Sequence, residues 1–266
     1  MLIEPEQLAA APDTVIFDCR FALTDPEAGR AAYEAGHIPG ANYLDLNRDL
    51  SAPVSEHGGR HPLPAPAVFA ETLARFGVGL QTPVVAYDDS RLAFASRLWW
   101  MMRALGYRPP RLLNGGLGAW QASGGELETR VPSPQPCEPP ALRDYASCID
   151  YAGVRDAQAA GALLVDSREA ARYEGREEPI DPIAGHIPGA INRPWQGVTH
   201  SSGVVQDETV LREHWVDAID AEQLVVYCGS GVTACVNLFS LALLGRDDAT
   251  LYGGSWSDWC SYLDPD

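Results

Sequence analysis

Short apolar runs rich in β-branched residues, each closed by Asp, Asn, Gly or Cys, alternate along this chain with longer stretches that read as helices. In the first half the strand candidates are Val15–Asp18, Asn42–Asp45, Val84–Asp88 and Arg111–Asn114. In the second they are Leu163–Asp166, Ile191–Trp195, Leu224–Cys228 and Thr250–Gly253. Helices are predicted over Ala67–Phe76, Phe94–Leu105, Thr209–Ala218 and Val232–Leu244. Near-continuous apolar strands that alternate with helices imply an α/β fold, with a mainly parallel sheet covered by helices on both faces.

The pattern occurs twice. Phe17-Asp18-Cys19-Arg20 corresponds to Val165-Asp166-Ser167-Arg168, and Gly36-His37-Ile38-Pro39-Gly40-Ala41 returns as Gly185-His186-Ile187-Pro188-Gly189-Ala190. Val84 to Asp88 parallels the run ending at Cys228, and Asn114-Gly115-Gly116-Leu117-Gly118-Ala119-Trp120 parallels Gly253-Gly254-Ser255-Trp256-Ser257-Asp258-Trp259. The order is kept and the offset drifts only from about 149 to about 139 residues, which marks a duplicated supersecondary unit. Glu126 to Leu142 carries prolines at 132, 134, 136, 139 and 140, so it reads as an extended, semi-stiff connector. Domains are expected at 1–125 and 143–266, with 126–142 as a Pro-rich linker.

Composition narrows the chemistry. The formal net charge of −17 argues against nucleic acid or an anionic membrane as partner, although a local arginine still attracts a small anion. No apolar run reaches the ~18 residues of a membrane span, and the first residues lack the pattern of a secretory signal, so a cytoplasmic protein is expected. All 19 basic residues are arginine, which removes lysine Schiff-base chemistry and the P-loop lysine. Six cysteines at 19, 137, 148, 228, 235 and 260 form no CxxC pair and no zinc spacing, so reduced thiols and no metal or organic cofactor are expected.

One thiol stands apart. Cys228 closes a strand and is followed by Gly229-Ser230-Gly231-Val232-Thr233 and a helix, at the sheet end where α/β folds bind ligands. A free thiol with a pKa of ~8.5 is only about 3% ionised at neutral pH. Lowering the pKa to roughly 6 takes about 3.4 kcal/mol. A helix N-terminus supplies ~0.3–2 kcal/mol, so converging backbone N–H groups, at ~1.5–3 kcal/mol each toward a charge, must supply the rest. Gly229 and Gly231 would let the backbone curl toward the sulfur, and the same cradle could hold a persulfide. A cysteine phosphatase would need arginine six residues after the nucleophile, where Ala234 stands.

The Gly-His-Ile-Pro-Gly turns, the Cys-Gly-Ser-Gly-Val-Thr loop and the Gly-Ser-Trp-x-x-Trp ending resemble the tandem-domain rhodanese family of sulfurtransferases. The loop is similar to that of members using 3-mercaptopyruvate. The resemblance implies two rhodanese-like domains, the first catalytically silent because Asp88 stands in place of the cysteine. It implies that Ser230, where thiosulfate-using members carry lysine, relays a proton with His61 in Gly59-Arg60-His61-Pro62-Leu63-Pro64. His61 would be lent by the first domain, which also walls the cleft. The acid partner of that relay aligns with Asn47, with Asp49 the nearest carboxylate. Arg172 matches an arginine that grips the donor carboxylate. A second family arginine is replaced by Ile180-Asp181-Pro182, leaving Arg176 as the candidate substitute. The loop residues Gly229, Gly231, Val232 and Thr233 would line the donor.

His37, His186 and the repeated Asp/Arg pairs, present in both halves, read as structural, the tryptophans as packing, and Cys235 as a packed helix residue. The implied reaction moves sulfane sulfur from a small anionic donor, 3-mercaptopyruvate, through a Cys228 persulfide to cyanide, a thiol or a thioredoxin-like acceptor. The alternatives are a thiosulfate-using enzyme of the same mechanism, a persulfide carrier for a protein partner, and a non-catalytic binding module.

Overall fold

A computed structural model describes residues 1–263. The first half runs β1 (Leu2–Ile3), α1 (Pro5–Ala9), β2 (Val15–Asp18), α2 (Ala28–Ala35), β3 (Ala41–Tyr43), α3 (Pro66–Ala74), β4 (Val84–Tyr87), α4 (Ala95–Ala104), β5 (Arg111–Leu113) and α5 (Gly116–Ala122). The second runs β6 (Cys148–Ile149), α6 (Tyr151–Ala159), β7 (Leu163–Asp166), α7 (Ala170–Tyr173), β8 (Ile191–Asn192), α8 (Glu208–His214), β9 (Leu224–Tyr227), α9 (Ala234–Leu243), β10 (Thr250–Tyr252) and α10 (Ser255–Cys260). A 3₁₀ turn at Trp195–Val198 follows β8. Each half builds a five-stranded parallel sheet, in the orders β1-β5-β4-β2-β3 and β6-β10-β9-β7-β8. The α/β expectation holds in both halves.

The central strands explain the apolar runs. Val84–Tyr87 and Leu224–Tyr227 are buried at every position, as parallel strands covered on both faces must be. Each sheet carries its own core: Ile3, Ile16, Ile38, Val85 and Leu113 in one, Val154, Leu164, Ile187, Val225 and Trp256 in the other. The two-residue edge strands β1 and β6 have no counterpart in the sequence reading, because so short a segment shows no periodicity. Beyond β8, Pro194 lacks a ladder donor and the 3₁₀ turn follows, so the strand expected over Ile191–Trp195 stops at Asn192. The helix expected from Val232 starts two residues later, after Gly231 takes the left-handed φ of 75°.

The chain divides into two compact units that exchange short loops. One contains Met1–Ala52, Pro64–Ala146 and Thr199–Val205; the other contains Pro53–Leu63, Ser147–Val198 and the chain from Gln206 onward. The segment carrying His61 is therefore part of the unit that carries Cys228. The stretch from Glu126 runs extended along the first unit, with paired His37 and Glu128 backbone bonds and Cys137 N–H donating to Ala74 C=O.

The repeated signatures hold matching structural parts. His37 Nδ1 donates to Tyr33 C=O at 2.8 Å and stacks on that ring. His186 does the same with Tyr173 at 2.7 Å. Arg20 forks onto Asp18 and reaches Gly36 C=O, as Arg168 forks onto Asp166 and reaches Gly185 C=O. Trp99, Trp100, Trp256 and Trp259 are all buried, and the Cys235 thiol donates to Gly231 C=O within its own helix entry. Among the described residues no helix is long and apolar enough to cross a membrane.

Candidate active site

Cys228 is the first residue past β9 and is 1% exposed. The turn after β10 holds its backbone. Ser255 Oγ accepts the Cys228 N–H at 3.1 Å, Trp256 N–H donates to Cys228 C=O at 3.0 Å, and Ser257 N–H donates to Gly229 C=O at 2.9 Å. Ser255 does this from a left-handed φ of 58°, a conformation that costs a non-glycine residue ~1–3 kcal/mol and persists only when its surroundings enforce it. Its hydroxyl also donates to Tyr252 C=O, so the strained backbone is tied at both ends.

The first unit shows what the same loop does with an anion. Asp88 occupies the position of Cys228, and Leu117 N–H donates to its carbonyl just as Trp256 N–H does to that of Cys228. Its buried carboxylate accepts four backbone N–H groups, from Ser90 and Leu92 on one oxygen and from Phe94 and Ala95 on the other, at 2.9–3.0 Å. Burial pushes the Asp88 carboxyl up, and the four N–H groups pull against it. Arg91 takes φ 61° there and Gly231 takes 75° in the second unit, so the chain turns in the same sense at both places. In the first unit the loop thus converges four backbone N–H groups on one side chain.

Ser230 and His61 meet. A hydrogen bond of 2.8 Å joins His61 Nδ1 to Ser230 Oγ, and both residues are 6% exposed. The 53–63 loop is clamped to the turn that holds Cys228. Gly58 N–H donates to Asp258 Oδ1 at 2.7 Å, Arg60 N–H donates to Ser257 Oγ at 3.1 Å, and a Cβ on Gly59 would lie 2.4 Å from Gly254 C=O. His57 stacks on Tyr262 and bonds Ser261, so it anchors the loop rather than joining the site. Asp49 belongs to the first unit, where its carboxylate accepts Asp45 N–H and Arg75.

Two guanidinium groups cover the loop. Arg172 lies beside Gly229, but Arg176 does not join it: that side chain is exposed and pairs with Glu174. The second group is Arg60. A Cβ on Gly229 would lie 3.0 Å from Arg60 Nη2 and 3.5 Å from Arg172 Nη1 and Nη2. Gly229 has no left-handed φ, so its part is clearance for the guanidiniums, while Gly231 alone supplies the turn expected of both glycines. Asp181 bridges Arg60 and Arg172, and Glu178 accepts from Arg172 and Arg168. Burial and the charge of Arg172 pull the Arg60 guanidinium down, while Cys228 and Glu178 act in the opposite direction. Of the remaining site residues named from sequence, Val232 is buried at the loop and Thr233 precedes α9 at the N-cap position without a side-chain capping bond. Arg60 escaped the sequence reading although it adjoins His61; that adjacency was the available signal.

Two other buried thiols, Cys19 and Cys260, are disfavoured as thiolates. Burial and nearby carboxylates push the Cys19 thiol well up, and burial raises that of Cys260.

A family model described as "Rhodanese-like domain" matches residues 4–123 and 151–262. The "Probable 3-mercaptopyruvate sulfurtransferase" of Pseudomonas aeruginosa is 44% identical over 97% of this chain and 94% of its own. The thiosulfate sulfurtransferase of Gallus gallus is 34% identical over 92% of this chain and 85% of its own. Among solved structures, SseA from Escherichia coli, described as a 3-mercaptopyruvate sulfotransferase, superposes with a TM-score of 0.84 at 32% identity, covering 96% of this chain and 98% of that one.

Proposed function

The chain belongs to the rhodanese family, and we propose that it is a sulfurtransferase that takes sulfane sulfur from 3-mercaptopyruvate through a Cys228 persulfide. The observation that carries this reading is the convergence on one loop of a buried cysteine, the His61–Ser230 hydrogen bond and the Arg60 and Arg172 guanidiniums. The second unit, which includes the 53–63 loop, carries the chemistry, and the first unit, with Asp88 in place of the cysteine, is catalytically silent.

The donor carboxylate binds Arg60 and Arg172, which places its sulfur toward Cys228. The thiolate attacks that sulfur, and the carbon–sulfur bond breaks with its electron pair passing to C3. The products are a Cys228 persulfide and the enolate of pyruvate. Ser230 donates a proton to C3, His61 resupplies the hydroxyl, and the proton the donor thiol carried passes from the persulfide to His61. The anionic persulfide would rest among the backbone N–H groups of the loop after Cys228, the counterpart of the loop that holds the Asp88 carboxylate. Cyanide then takes the outer sulfur as thiocyanate and restores the thiolate. With thiols as acceptor, two thiols become a disulfide and sulfide leaves. A cytoplasmic setting would supply such thiol or thioredoxin-like acceptors.

Thiosulfate is the second reading, favoured by the paired arginines, which suit any oxyanion, and by the Gallus gallus relative. Intact mass spectrometry after each donor decides between them, together with steady-state rates to cyanide. One sulfur added to wild type and none to Cys228→Ala is expected, with faster turnover of 3-mercaptopyruvate. Absence of any adduct on wild type overturns the persulfide reading.

A further inference from the structure

The donor site is electrically balanced by its own residues. Asp181, with its side chain 1% exposed, holds Arg60 Nη1 and Arg172 Nη2. Glu178, 4% exposed, accepts from Arg172 Nε and Nη2, from Arg168 Nη1 and from the N–H groups of Ile180 and Asp181. Asp166 takes the rest of the Arg168 fork. Three guanidiniums therefore face three carboxylates, and the formal sum is zero. Of the atoms nearest Gly229, Arg60 Nη2 and Arg172 Nη1 make no hydrogen bond or ion pair among the described residues, while Arg172 Nη2 is held by Glu178 and Asp181. Asp181 thus aims both arginines while cancelling one of their charges.

From this arrangement we propose that Asp181 is a specificity-determining residue that favours monoanionic sulfur donors over dianionic ones. This rests on the donor site assigned above. A donor oxyanion held by these guanidiniums on the Gly229 side would feel the Asp181 carboxylate behind them. At an effective dielectric of ~20, a unit charge at a separation of ~6 Å changes an equilibrium by about a hundredfold. A monoanion such as 3-mercaptopyruvate meets this repulsion once, and thiosulfate meets it twice. Two arginines without Asp181 would leave one net positive charge and welcome the dianion.

The test compares kcat/KM for 3-mercaptopyruvate and thiosulfate in wild type, Asp181→Asn, Asp181→Glu and Arg60→Gln. Asp181→Asn is expected to move the ratio at least tenfold toward thiosulfate, and Asp181→Glu to leave it within about threefold. Arg60→Gln is expected to move it at least tenfold the other way, which keeps the claim testable if Asp181→Asn does not fold. A parallel measurement needs no turnover: thermal unfolding of Cys228→Ser protein with and without Asp181→Asn, in pyruvate or in sulfate. Sulfate should gain stabilising power from the Asp181 change, and pyruvate should gain less. Equal loss with both donors would make Asp181 a positioning residue only and overturn the proposal, as would an unchanged ratio. If wild type turns over neither donor, the assigned function fails, while the sulfate–pyruvate contrast still decides the role of Asp181.

Discussion

Replacing Ser230 by alanine separates proton relay from anion binding. The hydroxyl is 2.8 Å from His61 Nδ1 and both groups are nearly closed to solvent, so water cannot readily take its place. The bond itself is worth ~1 kcal/mol, and taking this partner from a buried imidazole nitrogen brings the expected stability loss to about 1–3 kcal/mol. The kinetic consequence differs by donor. Breaking the carbon–sulfur bond of 3-mercaptopyruvate leaves a carbanion equivalent that needs a proton, and a positioned acid contributes ~10²–10⁴-fold. Thiosulfate releases sulfite, which leaves with its charge and needs no proton on carbon. Single-turnover persulfide formation should therefore slow about a hundredfold or more with 3-mercaptopyruvate and change less than about fivefold with thiosulfate. The assay is rapid-quench mass spectrometry of the Cys228 adduct with each donor, alongside urea unfolding to read the stability change. Equal slowing with both donors would refute the relay and make Ser230 part of the cradle alone.

Gly229→Ala should fold with less than about 1 kcal/mol lost, because its backbone needs no left-handed conformation, yet raise KM about tenfold as the Cβ presses on Arg60 and Arg172; a titration of donor against initial rate checks it. Asp258→Ala removes the acceptor of Gly58 N–H and Tyr252 O–H and should release the 53–63 loop, seen as new proteolytic cleavage there and a fall in kcat. Burial and the charge of Arg193 lower the pKa of His214, so its neutral form is favoured in the folded state. That contribution is fully present above about pH 6.5 and is lost as the pH falls below it; urea unfolding at pH 5.5 and 7.5 should show a smaller difference in His214→Gln than in wild type.

How much was legible depended on distance along the chain. The central strands, the duplicated turns and the matching positions of Cys228 and Asp88 were readable because local signals encode them. Apolar runs mark buried strands, and a cysteine between a strand and a helix marks a cradle. The Gly-His-Ile-Pro-Gly turn repeats because each unit needs the same histidine-to-carbonyl anchor. Other parts were not readable. The edge strands β1 and β6 are too short to show a period, and their existence depends on the free edges of β5 and β10.

By itself, then, the sequence determined two α/β units and singled out Cys228 as the candidate thiol. Tertiary structure decided what surrounds that thiol. Arg60 reaches Asp181 across 121 positions, and Gly58 reaches Asp258 across 200. No periodicity in the 53–63 loop announces either contact. Arg176 lay close to Arg172 along the chain and still turned to solvent, because pairing charges in space depends on which backbone brings them together. Gly229 changed meaning for the same reason. Its neighbours along the chain suggested a turn, whereas the guanidiniums above it show that the missing Cβ is what keeps the site open.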